Sequence, residues 1–168
     1  MGFERAGVRR ILLVNERGPE ELAVSQIHPI LPGYYCVPST LMALTGAEPT
    51  AVVPVDRRHD RNASLTDNVA GVGLTAAEAV LAELGYAVRR YRKPDARALL
   101  RTWAERSKKY LGRNLLVCTA GGRKTPGHAL VLRDGRIYDN HTPVGSAGPA
   151  HPFAVCVVDY VALVEKRT

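Results

Sequence analysis

Residues 127–139 read Gly127-His128-Ala129-Leu130-Val131-Leu132-Arg133-Asp134-Gly135-Arg136-Ile137-Tyr138-Asp139. Two apolar runs flank Asp134-Gly135, the residue pair that best suits a two-residue hairpin loop. Such a loop sets the register: Arg133 opposes Arg136, and His128 opposes His141. One face then carries His128, Leu130, Leu132, Ile137, Asp139 and His141, while Ala129, Val131, Arg133, Arg136, Tyr138 and Asn140 point the other way. The first face is apolar in its middle and is expected to pack on the core, with Asp139 diagonal to His128. A three-residue loop would shift the register and bring Asn140 round instead. Asp139 is the preferred neighbour of His128 and Asn140 the second choice, beside the plainer reading of residues 139–143 as a turn.

Around this hairpin the pattern is also β. Strands are expected over 115–120, 128–132, 136–139 and 153–158, with further strands at 11–14, 52–55 and 86–91. Helices are expected on the N-terminal side. Val37 to Thr45 is largely apolar, has Pro38 in its first turn, and meets Gly46 at its end. Thr75-Ala76-Ala77-Glu78 has the form of a capping box opening a helix that runs to Leu84. A third helix runs from Asp95 to about Leu111, with Leu99, Leu100, Trp103, Ser107, Tyr110 and Leu111 on one stripe. Helices followed by an antiparallel sheet predict an α+β fold, not a βαβ alternation. Residues 47–73 read as a long loop, a common setting for substrate binding.

The 168 residues are 46% hydrophobic and 23% charged, which suits one globular domain over 1–168 and argues against wholesale disorder. No apolar run approaches the ~18 residues of a membrane helix, and no signal peptide is evident. A cytoplasmic protein without membrane contact is expected. The net charge is +7, and residues 89–113 carry ten Lys/Arg against Asp95 and Glu105, so this segment holds the whole excess. It is either a solvated helix face or a contact for an acidic protein or nucleic acid.

Three cysteines stand at 36, 118 and 156 without a C-x-x-C pair, so neither a zinc site nor a disulfide framework is expected. The cluster Asp56, His59 and Asp60 is read as solvated charge, and no cofactor or metal is expected. Gly121-Gly122-Arg123-Lys124-Thr125 is not read as a phosphate loop, because a strand follows it where that motif needs a helix. Cys118 and Cys156 lie in apolar runs and read as buried strand residues. Cys36 opens a helix, where free amides and the helix dipole favour the nucleophilic thiolate. His128 at the rim of a sheet is the candidate general base, and Asp139 (or Asn140) would orient it. Gln26, ten residues before Cys36, is the candidate side-chain donor for an oxyanion.

The order of these features resembles papain-like cysteine peptidases, and within them the double-glycine, bacteriocin-processing branch. The resemblance rests on Gln26, on Tyr35-Cys36 opening a helix, on Leu84-Gly85-Tyr86, on Gly127 to Leu132, and on Tyr138-Asp139. It implies a papain-like fold in which an N-terminal helix carrying Cys36 packs on a C-terminal antiparallel sheet carrying His128. It further implies a Cys36, His128, Asp139 triad with Gln26 at the oxyanion, acting on a peptide or protein substrate. The sequence departs from the family in having Val37-Pro38 after the cysteine and only eleven residues from His128 to Asp139. The expected function is cysteine-dependent hydrolysis of an amide bond by a peptidase, isopeptidase or amidase. The alternative is a non-catalytic module on the same scaffold that binds an acidic partner or nucleic acid through Arg89 to Arg113.

Overall fold

Val117, Leu130 and Val161 lie on the middle strands of one antiparallel sheet and are wholly or almost wholly buried. The computed structural model describes residues 26–52, 72–92, 97–121 and 127–168, without the side chains of 72–75. The expected strand at 11–14 and the Asp56, His59, Asp60 cluster lie outside the described residues. The described elements run α1 (Cys36–Thr45), α2 (Pro49–Val52), α3 (Val72–Glu83), β1 (Tyr86–Arg90), α4 (Leu100–Ser107), β2 (Asn114–Thr119), β3 (Ala129–Arg133), β4 (Arg136–Tyr138), β5 (Ser146–Ala147) and β6 (Val158–Lys166). A 3-10 turn, Gly148–Ala150, follows β5. The strands form a six-stranded sheet in the order β1-β6-β2-β3-β4-β5, with every pairing antiparallel. Among the described residues no helix is long and apolar enough to cross a membrane.

The sheet is buried on both faces, and the pleat sorts its side chains between two layers. Leu116, Cys118, Ala129, Val131 and Val164 pack with Cys36, Leu41 and Met42 of α1 and with Ala77 and Leu81 of α3. Leu115, Val117, Leu130, Leu132, Ile137, Val161 and Leu163 pack with Leu100, Trp103 and Ala104 of α4. This makes an α+β fold with helices on both sides of an antiparallel sheet. The β3–β4 hairpin has the expected register, Arg133 opposite Arg136. Asp134 (φ 49°) and Gly135 (φ 84°) both take the left-handed backbone that a type I′ loop requires.

Several expectations need correction. Val52 ends a short helix rather than starting a strand, and 53–55 lie outside the described residues. The second helix begins at Val72, not at a Thr75 cap, and the Glu78 carboxylate binds Arg90 and Tyr160. The third helix begins at Leu100, with Asp95 outside the described residues. Ala98 and Leu99 are drawn into strand-like pairing instead: the Val158 N–H donates to the Ala98 carbonyl, and Leu99 bridges Val157. Leu111, expected on the packed stripe, is 78% exposed, because the chain leaves the helix after Ser107.

The final strand also differs. Residues 153–156 turn rather than extend, with the Cys156 N–H bonded to the Phe153 carbonyl, and β6 runs on to Lys166. Cys156 is therefore half-buried in a turn, while Cys118 is the buried strand residue expected of it.

Candidate active site

Cys36 is the first residue of α1 and is fully buried. The preceding Tyr35 is extended and supplies no side-chain cap, so the thiol sits at an uncapped helix N-terminus. Gly46, at φ 67°, closes the helix by donating its N–H to the Met42 carbonyl. A Cβ at this position would also fall 2.6 Å from the His28 ring.

His128 immediately precedes β3 and is fixed through Thr119. Its N–H donates to Thr119 Oγ1 at 3.0 Å, and its carbonyl accepts the Thr119 N–H at 3.0 Å. The ladder between β2 and β6 is irregular between Cys118 and Thr119. Strand parity would assign His128 to the α4 face, whereas Cys36 comes from the layer on the opposite face. Because His128 precedes the first ladder residue, the pleat does not fix its direction. The ring packs beside Phe153, with centroids 4.7 Å apart, and lies close enough to Cys36 for the thiol to act on its charge.

One ring nitrogen of His128, Nε2, lies 2.6 Å from Asp139 Oδ2. That leaves Nδ1 as the nitrogen not engaged by the carboxylate. Asp139 is fully buried directly after β4. Its Oδ1 accepts the His141 N–H at 3.0 Å, the Thr142 N–H at 2.7 Å and the Thr142 hydroxyl at 2.9 Å. Its Oδ2 is shared between His128 and a second imidazole, His151 Nε2, at 3.0 Å. A carboxylate surrounded only by donors stays ionised despite burial. Burial works to raise the Asp139 pKa, but the hydrogen bonds from His128 and His151 hold it far below the usual carboxylate range. For His128, burial disfavours the cation, yet the hydrogen bonds to Asp139 and Cys36 outweigh it and push the ring up to about 9.

The structure thus brings Cys36, His128 and Asp139 together. Asn140, the second choice, is not part of the group, and its Oδ1 is buried with no hydrogen-bond partner. Gln26 is not brought to the thiol. It is exposed, and its carbonyl accepts the Asn114 side-chain amide at 3.2 Å. Asn114 opens β2 at the hairpin end, whereas His128 pairs with Thr119 five residues along, roughly 16 Å away at strand spacing. The His28 N–H bonds the Ala43 carbonyl, which likewise ties this segment to the far end of α1. A spacing of ten residues before Cys36 does not reveal that the intervening chain runs back along the helix.

His151 was missed: followed by Pro152, it reads locally as a turn residue. It does lie in a turn, with its carbonyl accepting the Ala154 N–H at 3.0 Å. Its side chain nevertheless closes on a carboxylate twelve positions away, and only the tertiary fold reveals that.

The basic segment is partly neutralised. Arg89 and Arg113 meet Glu165 at 3.6 and 3.5 Å, Arg90 meets Glu78 at 2.6 Å, and Lys108 meets Glu105 at 2.8 Å. The Arg106 guanidinium lies over the Trp103 ring, 5.0 Å from its centroid. A cavity of about 200 Å³ is lined by Tyr91, Trp103, Arg106, Lys109 and Tyr110. Among the described residues no group of three or more His, Cys, Asp or Glu is arranged to hold a metal ion. No family model, no curated protein and no solved structure matches this chain.

Proposed function

We propose that the chain is a papain-like cysteine hydrolase that cleaves an amide bond in a peptide or protein substrate. One observation carries this reading: a buried helix-opening thiol lies within electrostatic reach of an imidazole whose Nε2 is held by a buried carboxylate. His128 takes the thiol proton through Nδ1, and the Asp139 carboxylate stabilises the imidazolium that results. The Cys36 sulfur attacks the substrate carbonyl carbon. The negative charge moves to the carbonyl oxygen, where the Cys36 backbone N–H is the available donor. As the carbon–nitrogen bond breaks, His128 returns its proton to the leaving amine, and the acyl group stays on sulfur. His128 then removes a proton from water, whose oxygen attacks the thioester carbonyl. The carbon–sulfur bond breaks, the carboxylic acid leaves and gives its proton to solvent, and the thiolate–imidazolium pair is restored.

Selective alkylation tests this. Exposure ranks Cys156 first, because Cys36 and Cys118 are both buried. Activation by His128 reverses that order. Near pH 6, iodoacetamide is expected to label Cys36 before Cys156, read by peptide mass spectrometry, and His128→Ala should abolish the preference. Labelling of Cys156 first in the unaltered protein overturns the reading.

The cavity beside Arg106 and Lys109, with its aromatic walls, favours a second reading in which residues 89–113 bind an acidic protein or single-stranded nucleic acid. That reading requires binding that weakens steeply with salt and survives Cys36→Ala. Absence of binding to an acidic protein or a single-stranded oligonucleotide at low salt eliminates it.

A further inference from the structure

The two imidazoles on Asp139 Oδ2 are not equivalent. His128 has Nε2 on the carboxylate and lies beside Cys36, so in the proposed reaction its charge changes as the thiol gains or loses its proton. His151 is fixed at both nitrogens within the fold. Its Nδ1 accepts the Phe153 N–H at 3.1 Å, so that nitrogen presents its lone pair. The ring proton is therefore on Nε2, which donates to Asp139 Oδ2 at 3.0 Å.

The backbone around His151 is equally determined. Its N–H donates to the Gly148 carbonyl at 3.3 Å and its own carbonyl accepts the Ala154 N–H. Gly148 in turn packs so close to α4 that a Cβ there would lie 2.8 Å from the Ala104 Cβ. His151 is fully enclosed, with its side chain 0% exposed, so water does not compete for this contact.

We infer that His151 is a positioning residue: a neutral Nε2–H imidazole that holds the Asp139 carboxylate ionised and aims it at His128. The inference rests on the proposed thiol chemistry. Oδ1 is committed to residues 141 and 142 of its own loop, which sets the plane of the carboxylate. His151 anchors the remaining oxygen, which it shares with His128. The carboxylate is thereby kept in place while His128 gains and loses charge, which is the preorganisation that acid–base catalysis needs.

The test compares two amides. His151→Gln places an N–H the same number of bonds from the backbone as Nε2, whereas His151→Asn stops one bond short. At pH 6, Cys36 alkylation in the Gln variant is expected to stay within about threefold of the unaltered protein, and in the Asn variant to fall about tenfold or more, the worth of one charged hydrogen bond. Equal rates in the two variants overturn the role of His151. If Cys36 of the unaltered protein reacts no faster than Cys156, it is the thiol chemistry that fails.

A second measurement does not depend on how the variants fold. ¹⁵N spectra of the unaltered protein are expected to show His151 protonated at Nε2 and bare at Nδ1. A proton on Nδ1 overturns the assignment.

Discussion

Asp139 and Glu78 are both carboxylates that bind several side chains, but of different kinds. Glu78 takes a bidentate contact from Arg90, with both N···O distances 2.6 Å, and a hydrogen bond from the Tyr160 hydroxyl at 2.5 Å. Arginine keeps its charge at every accessible pH, so this group ties α3 to β1 and β6 and has no proton to pass on. Asp139 is held by two imidazoles, one of which, His128, titrates within the accessible range, at about 9. The surroundings differ as well. Asp139 is wholly buried, whereas the Arg90 side chain is 58% exposed and its attraction to Glu78 is screened by water. A carboxylate becomes chemically useful when its partner can release a proton and bulk water is kept away.

The sharpest way to break this comparison is to neutralise each carboxylate in turn. Asp139→Asn keeps the shape but replaces a carboxylate with an amide that cannot stabilise the imidazolium. Cys36 alkylation near pH 6 is expected to fall roughly a hundredfold, toward the small thiolate fraction of an unassisted cysteine. Glu78→Gln is expected to leave the rate unchanged. Equal effects of the two substitutions would remove the distinction.

The pH dependence of stability separates the groups next. The folded His128 titrates at about 9 against an ordinary value of 6.5, so the stability it contributes is complete below 6.5 and is lost as pH rises through 9. The shift corresponds to roughly 3 kcal/mol. Asp139 is shifted downward from 3.8, so its contribution is complete above that value and fades as pH falls toward the folded pKa. Thermal unfolding should therefore show its highest midpoint between about pH 4 and 6.5. His128→Gln is expected to flatten the decline between 6.5 and 9, and an unchanged decline would assign it to other groups.

The smallest effect belongs to the exposed pair. The hydrogen bond from Arg90 lowers the Glu78 pKa from 4.5, so its contribution is present above that value and lost below it. Arg90→Ala is expected to cost about 1 kcal/mol or less, with the loss shrinking at high salt. A larger loss, insensitive to salt, would mean that the Arg90 stem over the Tyr160 ring matters more than the charge.

What the sequence discloses follows from how locally each feature is encoded. The hairpin at Asp134-Gly135 needs only two residues that accept left-handed backbone, and its register sets Asp139 near His128, whose own direction is fixed through Thr119. Helix α1 is equally local, bounded by Cys36 and Gly46. Strand β6 was hidden because Val161, Ala162, Leu163 and Val164 are all buried, and a strand covered on both faces shows no alternation there. Gln26 was misplaced and the role of His151 overlooked, for opposite reasons. Chain spacing suggested a meeting that the path of residues 26–35 prevents, and a turn motif masked a contact made by the side chain.

The last element of the chain lies in the middle of the sheet, not at its border. β6 pairs with β1 on one side and β2 on the other. A nascent polypeptide emerging from the ribosome could form α1 early, yet β1 and β2 would have no common neighbour until residues 158–166 followed. The thiol is thus translated long before the scaffold that activates it can close. Loss of those nine residues would divide the sheet instead of trimming it.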